Sequence, residues 1–502
     1  MMYFMNMTKR NLLAAAAALV CLAASARVGE VATPASAVPD TTVLTLNQAL
    51  RIALSENVAV KVADKEIERA GYAKRGTYAA LFPQVNASGS FQRTIKKQVM
   101  YMDQDDSDEG GGGGFFGSIA PYFQRIQELS VLQGLDPVTV APSTGSANQG
   151  FAVGRWNTWS AGISANMPLV NAQLWKSLEI SGQQVELAVE KARASRLDMV
   201  TQVKQAFYAV LLAKEALTVY RSVYDNAREN LSRTRQRFNA QKASELELTR
   251  AEATAANAIP NVFNAESAVI LALWQLKAVM GVDLDMPVDV SGALSDYSEE
   301  MTYDLALGDS TSLDGNSALR QLALQAEQLA ATVRMQQYAT LPSLALGFAY
   351  NYSAMANDFV FKNYKWTPYS YVGLSLNIPI FSGGQRTNQI RQTKVQATEL
   401  ALQRMDTERK LRIAIRQYLT AMQTDIRSLA AARDAERTAR KAYDIAAKSY
   451  AVGRSTITDL NDAQLGLTQS RLAVSQAVHN FLVAKSQLEQ TLGQDFRSKS
   501  DN

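Results

Sequence analysis

Two carboxylates three residues apart, Asp459 and Asp462, stand out among the side chains able to do chemistry, because that spacing sets both on one face of a helix. Such a pair either attracts cations or marks a helix start, where the positive end of the dipole favours acidic groups. The acidic run Asp103, Asp105, Asp106, Asp108 and Glu109 precedes five glycines, Gly110 to Gly114. It lacks the spacing and closing bidentate glutamate of a calcium loop and reads as a solvated loop. Gly383-Gly384-Gln385 resembles a phosphate loop only loosely, since no lysine follows in the right place. The chain holds one histidine, His479, and one cysteine, Cys21. Zinc sites, Cys–His nucleophiles and disulfide frameworks all need more, so no metal, cofactor or catalysis is expected.

The 502 residues carry 51 Lys and Arg against 47 Asp and Glu, a formal charge of +4, with both signs interspersed. That distribution argues against a nucleic-acid partner. Residues 1–26 read as a secretory signal: Lys9 and Arg10 are the positive end, Leu12 to Ala24 the apolar stretch, and Ala24-Ser25-Ala26 the cleavage site. About 13 apolar residues are too few to span a bilayer. Leu19 and Val20 precede Cys21 where lipid attachment requires small residues, so a lipid anchor is not expected. No later stretch of about 18 apolar residues follows. An exported chain of this kind is soluble in the envelope or crosses a membrane as a β-barrel.

The elements that would position the carboxylates come in two copies. Met280-Gly281-Val282-Asp283 returns as Leu492-Gly493-Gln494-Asp495, Arg237-Phe238-Asn239-Ala240 as Ser449-Tyr450-Ala451-Val452, and Asn166-Met167-Pro168-Leu169 as Asn377-Ile378-Pro379-Ile380. Asn57 to Pro83 aligns without a gap to Asn316 to Pro342. Each copy starts with a helical segment (roughly 44–81 and 315–340) ended by Pro83 or Pro342. Two alternating segments, a very long helix, a tight turn and a second helix follow. The long helices, at about 171–238 and 384–451, would each span about 100 Å. Val203, Ala206, Val210, Ala213 and Leu217 keep a 3,4 spacing, as do Ile415, Leu419, Met422, Ile426 and Leu429. That period means coiled-coil packing.

The alternating segments put apolar residues on one face and small polar ones on the other. Val85, Ala87, Gly89 and Phe91 alternate with Asn86, Ser88, Ser90 and Gln92, and Leu344, Leu346, Phe348, Tyr350 and Tyr352 with Ala345, Gly347, Ala349, Asn351 and Ser353. Their length suits tilted transmembrane strands. Trp156, Trp159, Tyr350, Tyr352, Trp366, Tyr369 and Tyr371 crowd the ends and are expected at the membrane interface. Four strands cannot close a barrel. Closure demands oligomerisation, and three copies would supply 12 strands. Two half-buried hairpins on a soluble domain are the competing reading.

From about residue 44 to 496 the chain resembles the TolC-type outer-membrane efflux proteins. The resemblance rests on the duplicated plan, the paired Asn-x-Pro strand ends, and Tyr450-Ala451-Val452-Gly453 with Thr456-Ile457-Thr458-Asp459-Leu460-Asn461-Asp462. It implies a mainly α protein with a transmembrane β part: a homotrimer whose 12-stranded β-barrel in outer-membrane lipid continues as a long α-helical periplasmic barrel. It also implies a periplasmic adaptor and an inner-membrane pump of RND, ABC or MFS type as partners. The function expected is a passive exit duct of a tripartite efflux or type I secretion system in the Gram-negative outer membrane. The alternative is an exported periplasmic coiled-coil adaptor or scaffold.

By the same resemblance Asp459 and Asp462 ring a periplasmic gate, Tyr450 ties neighbouring coiled coils in the closed state, and Glu247 falls where the first copy has an aspartate. Ser455 stands where the best-known members have arginine, and Leu246 where they have threonine. A substitute closing link between Arg454 and Glu247 is therefore expected. Val452, Gly453, Arg454 and Ser455, with Ala240 and Gln241 on the other turn, resemble the tip that meets the adaptor. The expected division is a signal peptide at 1–26, an extension at 27–43, a first repeat at 44–290, an equatorial linker at 291–314, a second repeat at 315–496 and a tail at 497–502. Strands are expected at about 84–93, 157–168, 343–353 and 369–380, with an extracellular loop at about 94–155.

Overall fold

The computed structural model describes residues 42–100, 151–298, 312–360 and 364–494, with the single residues 122, 125, 128, 301 and 362. The expected signal peptide, the acidic glycine-rich loop and the C-terminal tail lie outside the described residues. The elements in chain order are β1 (Thr42–Leu44), α1 (Leu46–Glu56), α2 (Val58–Ala79), β2 (Gln84–Arg93), β3 (Gln98–Met100), β4 (Phe151–Val153), β5 (Asn157–Val170), α3 (Ala172–Asn239) and α4 (Glu245–Met280). They continue with β6 (Val288–Val290), a 3₁₀ turn (Leu294–Tyr297), α5 (Ser317–Tyr338), β7 (Ser343–Ala356), β8 (Thr367–Asn377), α6 (Gln385–Ala451) and α7 (Ile457–Leu492).

The long helices α3 and α6 have 68 and 67 residues, and each turns back on a 36-residue partner, α4 or α7. Their buried positions explain how such lengths stay straight enough to pair. On α6, Ile415, Met422 and Leu429 are seven residues apart and Tyr450 lies three heptads beyond. On α4, Ala251, Ala258 and Ala265 repeat the same period, and their small side chains let the helices approach closely. A strict seven-residue seam implies a left-handed supercoil. Halfway along α3 the stripe broadens to Val203, Ala206, Phe207, Val210 and Leu211. This is the wider face of a globular helix. There it meets Leu50 of α1, Leu276 and Met280 of α4, Phe481 and Leu482 of α7, and Val288 and Val290 of β6 in one buried core. Of the described helices, α4 is long and apolar enough to cross a membrane by length and composition. That departs from the sequence expectation because Val262, Val269, Ile270, Leu271, Leu273, Leu276 and Val279 raise the mean hydropathy without forming an unbroken run. It pairs along α3, with Glu266 2.8 Å from Arg221.

The opening helical segment is not one helix. It is β1, α1 and α2, and the chain breaks at Asn57, whose ψ of 132° ends α1 and begins α2. The Asn57 side chain accepts from Ala59 N–H at 2.7 Å and donates to the Val279 carbonyl at 2.7 Å. Asn316 does the same in the second copy, accepting from Leu319 N–H at 3.0 Å and donating to the Thr491 carbonyl at 2.7 Å. Each asparagine thus caps one helix start while holding the C-terminal turn of another. Those turns end in left-handed glycines, Gly281 (φ 75°) and Gly493 (φ 68°).

The four long strands form one antiparallel sheet in the order β2-β5-β7-β8, leaving β2 and β8 as open edges. Pro168 pairs with Ala345 beyond the reach of β2 and next to an irregularity at Val170, where its missing N–H costs no ladder bond. Within the expected extracellular loop, β3 and β4 pair from Gln98–Val153 to Met100–Phe151, so its foot is a short ladder. The register sorts the side chains. One face carries Val85, Ile163, Leu346, Phe348, Tyr350, Tyr352, Val372 and Leu374; the other carries Asn86, Ser88, Ser160, Ser164, Gly347, Asn351, Gly373 and Ser375. Tyr371 pairs with Ala349 and Tyr369 with Asn351, on the polar face. Tyr369 and Tyr371 thus lie on the face opposite Tyr350 and Tyr352, with which the sequence reading groups them. The strand period of two outweighs their position near a strand end.

Candidate functional site

The residues singled out at the helical tip sit on two turns built alike. In the first, Gln241 N–H bonds the Phe238 carbonyl (2.8 Å) and Lys242 N–H the Arg237 carbonyl (2.8 Å). In the second, Gly453 N–H bonds the Tyr450 carbonyl (3.1 Å) and Arg454 N–H the Ser449 carbonyl (2.9 Å). Both close helices by the same pair of bonds around a left-handed residue. That residue is Gly453 at φ 76° in one turn and Gln241 at φ 55° in the other. The first turn therefore holds a non-glycine residue at a cost of about 1 kcal/mol. Ala240, Gln241, Val452, Gly453 and Arg454 are exposed, and Ser455 is partly so.

Behind the turns, Tyr450 is 4% exposed and packs with Ala251, Ile457 and Leu460. Its hydroxyl is 2.7 Å from Thr234 Oγ1, and Thr234 also donates to the Asn230 carbonyl at 2.8 Å. The Arg237 guanidinium lies over the Tyr450 ring at 5.3 Å and donates to the Tyr450 carbonyl at 3.4 Å. Thus α3 of the first copy grips the end of α6 of the second through a buried hydroxyl pair and a cation on a ring. Two further bonds join the copies: Asn461 Nδ2 to Thr254 Oγ1 at 3.1 Å, and Arg250 Nη1 to Thr458 Oγ1 at 3.4 Å. Sequence reasoning missed Thr234, Arg237, Arg250 and Thr254. Thr234 could have been found, because it follows the buried Ala227 by seven residues.

The carboxylates have separate surroundings. Asp459 closes a capping box at the head of α7: its Oδ2 accepts from Thr456 Oγ1 (2.7 Å), Thr456 N–H (2.9 Å) and Ser455 Oγ (3.2 Å). Its own N–H donates to Thr456 Oγ1 at 3.2 Å. The Thr456 hydroxyl, then the Thr456 backbone N–H, hold the Asp459 carboxyl below its ordinary range. Asp462, one turn on, is exposed. Glu247 Oε2 is buried and has no hydrogen-bond partner. Among the described residues Arg454 makes no ion pair within the chain. Arg454 stands on the exposed turn, while Glu247 is the third residue of α4 and is partly buried.

A depressed carboxyl stabilises the capped state fully above the unfolded value and loses that contribution as pH falls through the folded one. The head of α7 is therefore expected to loosen only in acid, below the ordinary aspartate range. In a Thr456→Val chain the loosening should begin at higher pH. Pepsin cleavage near Leu460 across the acid range reads it, with Asp459→Asn as the variant lacking the titration.

At the opposite end, aromatic residues bracket the apolar sheet face. Trp159 stacks against Phe91 at 4.4 Å, Lys97 lies 4.8 Å from the Trp156 ring, and the Tyr350 and Tyr352 hydroxyls are 2.9 Å apart. Trp366 is exposed. Nearer the helices, Phe82, Trp175 and Phe381 are exposed close to three of the four strand–helix junctions. Sequence reasoning did not single these out. The signal available was Phe82 next to Pro83 and Phe381 two residues after Pro379.

The family model for outer membrane efflux proteins matches residues 140–282 and 310–494. Among curated proteins, the outer membrane protein TolC of Vibrio cholerae is 23% identical over 342 residues, 66% of this chain and 76% of that protein. The alkaline protease secretion protein AprF of Pseudomonas aeruginosa is 22% identical over 344 residues, 66% of this chain and 69% of that one. Among solved structures, the CmeC outer membrane channel of Campylobacter jejuni superposes with a TM-score of 0.64 at 17% identity, covering 89% of this chain and 85% of that chain.

Proposed function

The chain belongs to the outer membrane efflux protein family and lies in the Gram-negative outer membrane, extending into the periplasm, and on that premise we propose that three copies close into one passive exit duct. Its relatives are transport channels rather than enzymes. In the proposed trimer β8 of each copy meets β2 of the next, giving a 12-stranded barrel whose apolar face meets lipid and whose polar face lines water. The single observation that carries this reading is a four-stranded sheet with an apolar face, a polar face and two unpaired edges. Open edges of 10 and 11 residues are an aggregation hazard unless another chain covers them. Phe82, Trp175 and Phe381 at one end, and Trp156, Trp159, Tyr350, Tyr352 and Trp366 at the other, suit the two headgroup layers. A periplasmic scaffold has no use for such a wall.

The helices continue the duct through the periplasm, and the exposed face of α4 (Ile259, Phe263, Ile270, Trp274) is covered by a neighbouring copy. The tip turns, with Val452, Gly453, Arg454, Ser455, Ala240 and Gln241, dock a periplasmic adaptor, and an inner-membrane pump of RND, ABC or MFS type supplies the free energy. Tyr450 holds the gate shut, and Asp459, Asp462 and Glu247 give its rim negative charge. Planar-bilayer recording of the purified protein tests this reading. Small, steady, cation-preferring currents are expected, and intact trimers that carry no current would overturn it.

A further inference from the structure

We propose that Tyr369 and Tyr371 form an aromatic collar inside the outer-membrane end of the duct and give it a preference for organic cations. The proposal rests on the trimeric barrel proposed above. Every side chain on the polar face of the four strands is uncharged: Gln84, Asn86, Ser88, Ser90 and Gln92 on β2, and Thr158, Ser160, Gly162, Ser164 and Asn166 on β5. Gly347, Ala349, Asn351, Ser353 and Met355 continue it on β7, and Thr367, Gly373, Ser375 and Asn377 on β8. On that wall the two phenols alone offer an extended π face. They are 54% and 58% exposed.

Their surroundings leave them free. Tyr371 faces Ala349 across the strands, and the next rung pairs Gly347 with Gly373. Tyr369 faces Asn351, but that side chain leans the other way, over β5. A Cβ built on Gly162 would sit 2.0 Å from Asn351 Oδ1, so Gly162 is what makes room for it. On the lipid face, by contrast, Tyr350 and Tyr352 bond to each other. Among the described residues Tyr369 and Tyr371 make no hydrogen bond or ring contact. Twelve strands about 4.8 Å apart and tilted about 40° enclose a backbone circle roughly 24 Å across. Six phenols projecting inward at two adjacent levels make it the narrowest part of the strand region. A ring face attracts a cation, most strongly one that sheds its water easily. A quaternary ammonium or a flat aromatic cation fits that description; a hydrated metal ion does not.

Planar-bilayer recording with tetrabutylammonium, added on the side the strands face, tests the collar. Potassium currents through the wild type should be blocked. Block should be retained when both residues become phenylalanine, and weakened on the order of tenfold when both become serine, with each single serine variant intermediate. Unchanged block in the serine variants would overturn the collar, and so would loss of block in the phenylalanine variant, which keeps the rings. A wild type that carries no current fails the duct reading instead. The carboxylates at the helical tip are about 100 Å away along α3 and are untouched by these substitutions.

Discussion

Channels carrying Tyr450→Phe together with Arg237→Ala are expected to open on the order of 30-fold more often than the wild type. The first change deletes the hydroxyl pair with Thr234, which is buried at 0% exposure. Because Thr234 keeps its bond to the Asn230 carbonyl, nothing is left unsatisfied, and the loss stays near 1 kcal/mol. The second deletes a guanidinium that touches both the ring and the carbonyl of residue 450, worth about another 1 kcal/mol. About 2 kcal/mol is roughly a 30-fold shift in a two-state equilibrium. Single-channel open probability reads it directly. Thr234→Val combined with Tyr450→Phe should add little to either change alone, since both remove the same contact. An open probability equal to wild type would remove Tyr450 from the gate.

Gly493→Ala is expected to cost about 3 kcal/mol or more and to deplete the assembled protein in the outer membrane. Two causes combine there. Gly493 is left-handed at φ 68°, and a Cβ on it would lie 1.9 Å from the Gly315 carbonyl oxygen. Gly315 cannot retreat, because Arg193 donates to its carbonyl at 2.6 Å while pairing with Glu190 at 2.9 Å. A Cβ on Gly315 would in turn meet the Leu492 carbonyl at 2.4 Å. Gly281→Ala should also destabilise, its nearest contact being Asn57 Cα at 2.9 Å. The control is Gly466→Ala within α7, where nothing lies within 4 Å, and it should stabilise by about 1 kcal/mol. Heat-induced loss of the detergent-stable assembly ranks the three. If Gly493→Ala melts with the wild type, the crossing of α7, α5 and α3 does not hold the two copies together.

What could be read in the sequence was whatever recurs at a short, fixed period. The heptads of α6, the alternation in β2, β5, β7 and β8, and the gap-free alignment of Asn57 with Asn316 are local patterns repeated often enough to survive noise. The break at Asn57 was hidden because asparagine inside an amphipathic run costs little helix propensity, and its second bond, to Val279, is 222 residues away. Thr234–Tyr450 and Arg193–Gly315 join residues 216 and 122 positions apart, which no local pattern encodes. Asp459 was legible in another sense. Thr456-Ile457-Thr458-Asp459 has the spacing of a capping box, and the cap accounts for three of its contacts before any role in a pore is considered. Tyr369 and Tyr371 show local rules in conflict: closeness to a strand end suggested the headgroup layer, whereas the pleat put them on the polar face.

Disulfide trapping of the two sheet edges tests the account most directly, because the sequence has a single cysteine, Cys21, which lies in the expected signal peptide. One cysteine is placed in β2, at Asn86, Ser88 or Ser90, and one in β8, at Tyr371, Gly373 or Ser375, and each pairing is oxidised in intact cells. Three copies sharing one barrel predict that at least one pairing gives a ladder of monomer, dimer and trimer on a non-reducing gel, ending at three. No crosslink in any pairing, or a ladder that runs past three, would contradict it.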